Sequence, residues 1–110
     1  MKTKILILMT GILLIGMGAF ASGKKTEKIN VAGKCGMCET RIEKAALAID
    51  GVKKADYDLK TKTLAVTFDE KKTSVDGIEK AEAAVGHDTD NHKADDAVYN
   101  KLPGCCKYRK

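Results

Sequence analysis

From Glu27 to Ala32 polar and apolar residues alternate, with Ile29 and Val31 on one side, and this period of two predicts a short strand ending at Gly33. Past Met37 the period lengthens. Ile42, Ala45, Ala46 and Ile49 recur at i, i+3, i+4 and i+7, while Glu39, Arg41, Glu43 and Lys44 fall on the other face. That spacing predicts an amphipathic helix ended by Gly51. Val52, Ala55, Tyr57 and Leu59 then predict a second strand, Lys60-Thr61-Lys62 a tight connection, and Leu64, Val66 and Phe68 a third strand completing a hairpin. Thr73 followed by Asp76 resembles a capping box, after which Val75, Ile78, Ala81 and Val85 line one side of a second helix that stops at Gly86. Gly77 weakens that helix without breaking it.

Strand, helix, strand, strand, helix is the order of a ferredoxin-like βαββαβ sandwich, an α+β fold, short of its last strand. His87 to Lys93 stands where that strand belongs but has almost no apolar residues, so a degenerate edge strand or a loop is expected. Asp95 to Leu102 predicts a short extra helix with Ala97, Val98 and Leu102 to pack. Pro103-Gly104 then turns this C-terminal extension into Cys105-Cys106.

The first residues follow another pattern. Lys2 and Lys4 precede an apolar run, Ile5 to Met17, broken only by Thr10, Gly11 and Gly16, and Ala19-Phe20-Ala21 supplies small residues around a cut. This is the form of a secretory signal peptide, cleaved after Ala21. The run is short for an uncleaved anchor, which needs about 20 apolar residues. The expected division is therefore 1–21 signal peptide, 22–26 flexible N-terminus, 27–92 domain and 93–110 extension, in a periplasmic or secreted protein. Without Lys2 and Lys4 the chain keeps 18 basic against 15 acidic residues, a net charge of +3. Basic and acidic residues interleave and aromatics are few, which excludes a phosphate-tracking surface for nucleic acid. No nucleophile, base and orienting acid can be assigned together, so hydrolase chemistry is excluded as well.

All four cysteines follow the expected cut. Cys35 and Cys38 form a CxxC pair and Cys105 and Cys106 are adjacent, with 66 cysteine-free residues between the pairs, unlike a disulfide-stapled miniprotein. At the start of a helix, unpaired N–H groups and the positive end of the dipole favour negative charge, so both loop thiols are expected to have lowered pKa values. Two soft thiolates on one loop match copper(I), whereas zinc normally requires four ligands.

The stretch Val31 to Ala46, VAGKCGMCETRIEKAA, resembles the metal loop and first helix of the heavy-metal-associated (HMA) domain family, which includes copper chaperones, copper-ATPase modules and periplasmic mercury-binding proteins. The matching features are the CxxC, Ile42, Ala45 and Ala46, the run Ile49-Asp50-Gly51-Val52 and the strand Leu64 to Phe68. The resemblance implies a carrier that is not an enzyme, with Cys35 and Cys38 as ligands exchanging an ion through shared thiolates with an efflux pump or ATPase domain. It is expected as a monomer or metal-bridged dimer. Copper(I) is the first cargo, mercury(II) or zinc(II) the alternatives. One departure is visible: the family usually has methionine two residues before the first cysteine, and this chain has Gly33 there. Met37 is expected to pack under the loop instead, as methionine commonly fills gaps, the alternative being that its thioether approaches the ion.

Three further residues join the candidate ligands. His87 stands where many members carry an aromatic or basic residue beside the loop, and imidazole suits copper or zinc; the alternative is an exposed loop histidine. His92, in a very polar stretch, is not expected to ligate. Cys105 and Cys106 lie outside the family's pattern and have three options: a vicinal disulfide, a second ion, or third and fourth sulfurs for the loop, which would also satisfy zinc. The competing function is a thiol-disulfide oxidoreductase using the CxxC, although that expects a thioredoxin-like βαβ context. A CxxC serving as an ordinary structural disulfide is the other alternative.

Overall fold

The computed structural model describes residues 23–109, so the expected signal segment lies outside the described residues. Three strands, β1 (Lys24–Asn30), β2 (Val52–Asp58) and β3 (Thr63–Asp69), form an antiparallel sheet in the order β1-β3-β2. Two helices, α1 (Gly36–Leu47) and α2 (Val75–Ala84), connect them in the ferredoxin-like order, and α1 packs on β2 and β3. A single helical turn, α3 (Asp96–Tyr99), and a 3-10 turn, Gly104–Cys106, complete the chain.

Strand β3 is central because its alternation is strict. Leu64, Val66 and Phe68 are buried while their neighbours are half exposed. Burying each such side chain contributes about 1.5–3 kcal/mol. Ile29, Tyr57, Ile42, Ala46 and Ile78 close over this face, and Tyr99, Leu102 and Cys106 extend the same core into the C-terminal segment. Strand β1 begins three residues ahead of its expected start. Lys24, Lys25 and Thr26, assigned from sequence to a flexible N-terminus, pair with Asp69, Phe68 and Thr67 because β3 is seven residues long and presents a full ladder on that side.

The missing last strand is reduced to one antiparallel bridge, Val31 to Thr89, supported by the Ala32 N–H donating to the Asp88 carbonyl at 2.8 Å. The expected boundaries also move. Helix α1 ends at Leu47 with Ala48 at its C-cap, and Gly51 acts later, at φ 101°, to turn the chain into β2. Helix α2 is capped by Ser74, one residue after the expected Thr73, its hydroxyl accepting from the Gly77 N–H at 3.1 Å.

The buried stripe of α2 departs most from its sequence pattern. Ile78, Glu79, Glu82 and Ala83 face inward, in place of the expected Ala81 and Val85, which are only half buried. Glu79 is satisfied by the Thr89 hydroxyl at 3.0 Å and the Asn91 amide at 3.4 Å. Glu82 is fully buried with no hydrogen-bond partner for either oxygen among the described residues, and burial pushes its carboxyl up to about 8. Among the described residues, no helix is long and apolar enough to cross a membrane.

Candidate metal centre

Helix α1 decides where the loop sulfurs sit. Cys35 is its N-cap, in extended conformation, and Cys38 opens the buried stripe Cys38, Ile42, Ala46 at the helical repeat of four. One cysteine of the pair is therefore half exposed at the lip and the other fully buried, with 3.6 Å between their sulfurs.

Their electrostatics diverge, contrary to the expectation that both thiols are acidified. The Cys35 thiol is lowered to about 6, first by a hydrogen bond from the Cys105 thiol at 2.8 Å, with the Cys38 backbone N–H and the other two thiols adding to it. Burial pushes Cys38 up to about 11, overriding the N–H groups that favour its thiolate. A helix start lowers a pKa only where the anion keeps its solvation, and the inward side of the first turn does not.

The C-terminal pair comes to the same place. Cys106 Sγ lies 3.4 Å from Cys35 Sγ and 3.9 Å from Cys105 Sγ, and the sulfurs of Cys35, Cys105 and Cys106 all lie within 4.8 Å of one another. All four cysteines are free thiols. Cys105 is exposed and Cys106 fully buried. Both keep raised pKa values, Cys105 chiefly because it donates to Cys35 and Cys106 chiefly through burial. The tail thus folds back on the loop and leaves both of its cysteines as thiols beside Cys35.

His87 is neither an exposed loop residue nor part of the sulfur group. It is fully buried, its Nδ1–H donates to the Ala32 carbonyl at 2.8 Å, and burial lowers its pKa so that the ring is neutral. Its Nε2 accepts from Arg41 Nη1 at 3.4 Å, and the same Nη1 donates to Cys106 Sγ at 3.3 Å. A guanidinium thus stands between the imidazole and the sulfurs. His92 pairs with Asp76 at 2.7 Å, away from the cysteines.

Met37 does not pack under the loop. It is 53% exposed, with its sulfur 3.7 Å from Cys105 Sγ. The space beside Gly33 is filled by Tyr57, whose hydroxyl donates to the Val31 carbonyl. A Cβ on Gly33 would lie 2.8 Å from the Tyr57 hydroxyl and 3.1 Å from Ile42 Cδ1, which accounts for a glycine where the family usually carries methionine.

Leu102, expected to pack, does so against Gly86, but sequence reasoning passed over the two residues that hold the end of the tail. The Tyr108 hydroxyl donates to the Gly86 carbonyl at 2.6 Å while accepting from the Asp88 N–H at 2.8 Å. Arg109 pairs with Asp88 at 2.7 Å, donates to the Ala94 carbonyl at 2.7 Å and lies over the Tyr99 ring at 4.3 Å. The only local signals were a tyrosine and an arginine in a basic tail, which have no period to read.

Residues 29–88 match the heavy-metal-associated domain. The mercuric transport protein periplasmic component of Shewanella putrefaciens is 34% identical over 84 residues, covering 76% of this chain and 92% of the relative. A copper chaperone CopZ of Staphylococcus aureus is 36% identical over 63 residues, covering 56% of this chain and 93% of that protein. A solved CopZ metallochaperone superposes with a TM-score of 0.57 at 35% identity, over 59% of this chain and 98% of that one.

Proposed function

The chain belongs to the heavy-metal-associated domain family, and we propose that within it the protein is an exported copper(I) carrier that holds its ion on Cys35 and Cys38 and passes it by thiolate exchange to a transporter's metal-binding domain. The observation that supports this reading best is the contrast within the loop. Cys35 is half exposed and acidified to about 6, and so is ionised at neutral pH. Cys38 waits 3.6 Å behind it in a buried position.

That arrangement suits a cargo more than a resident cofactor. Thiolate is the form that binds soft metal, and an incoming ion meets one ready-made at the surface. The second bond then displaces the Cys38 proton, since a cation beside a thiol favours its ionised form. Release runs in reverse: a partner's thiolate replaces Cys38 first, leaving the ion shared through Cys35. Family relatives named as copper chaperones and as ATPase domains support a transporter as the recipient. Relatives named as mercuric transport proteins support mercury(II) as the second cargo.

Anaerobic titration with copper(I), mercury(II) and zinc(II), in competition with a chromophoric chelator, tests the reading. Cys35→Ser should remove most of the copper(I) affinity, and Cys38→Ser should do so where Cys105 and Cys106 are also replaced by serine. A Cys35→Ser variant that binds copper(I) as tightly as the parent would reject it. An insulin-reduction assay on the same preparation separates a carrier from a thiol-disulfide oxidoreductase, because turnover without tight metal binding would favour the enzyme.

A further inference from the structure

We propose that Cys105 and Cys106 form, together with Cys35, a second three-sulfur site for the same class of thiophilic d10 cation, so that the tail acts as an internal acceptor that retains the ion against release. The proposal rests on Cys35 being a ligand, as in the reading above, and adds a site that the loop pair does not contain.

Geometry carries it first. The three sulfurs are mutually within 4.8 Å, at separations of 2.8, 3.4 and 3.9 Å. With metal–sulfur bonds of about 2.3 Å, three sulfurs in a trigonal plane stand about 4.0 Å apart. Two of the contacts are already close to that value, and the third, 2.8 Å, needs to widen by about 1 Å. Cys105 is exposed, so that sulfur is free to move outward.

The second observation is that the tail is clamped on both sides of the cysteines. Leu102 is buried against Gly86 before them; Tyr108 and Arg109 bind Gly86 and Asp88 after them. The 3-10 turn Gly104–Cys106 between these anchors is set over the loop, and Cys106 is fully buried there. Arg41 adds a matched charge. It donates to Cys106 Sγ at 3.3 Å, so part of the negative charge of a thiolate cluster meets a cation.

Both sites contain Cys35, whose sulfur lies 3.6 Å from that of Cys38 and 3.4 Å from that of Cys106. An ion therefore passes from one to the other without leaving sulfur. The metal–Cys38 bond breaks and bonds to Cys105 and Cys106 form, two thiol protons go to solvent and the freed Cys38 thiolate takes one up. No electron is transferred. The tail pair lies directly against Cys35 Sγ, so a partner must displace it to reach the cargo there.

The test uses the full chain, reduced and loaded anaerobically with one equivalent of copper(I). X-ray absorption should count three sulfurs per copper in the parent and two in Cys105→Ser/Cys106→Ser. Transfer to a chromophoric copper(I) chelator should be about tenfold or more faster in the double variant, because a tethered ligand acts at high effective concentration. Cys105→Ser alone, at an exposed position, should show the same direction of change and guards against misfolding from the buried Cys106→Ser. Two sulfurs in the parent, or equal transfer rates in the parent and both tail variants, would overturn the proposal. If that happens while Cys35→Ser still abolishes binding, only the internal acceptor is lost. A parent that binds no copper(I) overturns the carrier reading along with it.

Discussion

Replacing Glu82 by methionine should stabilise the protein, increasingly so as the pH rises. Glu82 lies on the inward face of α2 with no exposed surface and, among the described residues, no partner for either carboxylate oxygen, and burial pushes its pKa from 4.5 up to about 8. The folded protein holds this proton and the unfolded chain releases it above pH 4.5. Its contribution is therefore most favourable below pH 4.5, is lost as the pH climbs toward 8, and is constant above that. Each pH unit in the window costs about 1.4 kcal/mol, so at pH 7 the loss amounts to about 3 kcal/mol relative to pH 4.5. Methionine keeps the unbranched shape, removes the ionisable group and fills the same space. Urea denaturation of the reduced, metal-free protein at pH 5, 6, 7 and 8 gives the measurement, with the difference between variant and parent cancelling the cysteine titrations common to both. The difference should grow with pH and level off above 8. Parallel profiles for variant and parent would show that Glu82 is ionised, and paired, in the folded state, and would refute the reasoning.

Two further outcomes follow from the loop. Alkylation by iodoacetamide, mapped by mass spectrometry, should label Cys35 first, with a rate that rises with pH through a midpoint near 6 and then levels off, because its thiolate is the reactive form. Cys38, buried and pushed up to about 11, should stay unlabelled over the same range. Gly33→Ala should lower stability by about 1–3 kcal/mol, read as a lower urea midpoint, since its Cβ would meet the Tyr57 hydroxyl at 2.8 Å and the fully buried Ile42 at 3.1 Å.

Periodicity announced most of the framework. The alternation of Leu64, Val66 and Phe68 and the four-residue repeat that includes Ile42 and Ala46 are statements about which face is dry, and a domain of this size has only one core to satisfy both. The CxxC at a helix start likewise located the loop, because spacing along the chain becomes spacing in space over a single turn. Short-range chemistry of this kind is written in neighbouring residues.

What the tertiary structure decided depends on residues far apart in sequence. The inward turn of Glu79 and Glu82 was hidden because a carboxylate on a helix reads as solvent-facing, and only the packing of α2 places it otherwise. The opposite pKa shifts of Cys35 and Cys38 come from the Cys105 thiol that hydrogen-bonds Cys35 and from the burial of Cys38, and the first of these depends on a residue remote in sequence. The approach of Cys105 and Cys106 to Cys35 across some 70 positions rests on Tyr108 and Arg109 gripping Gly86 and Asp88. Pattern along a chain records which side of an element avoids water; it carries no information on which distant side chains close a loop entropy gap by meeting there, and that is settled only when the whole chain packs.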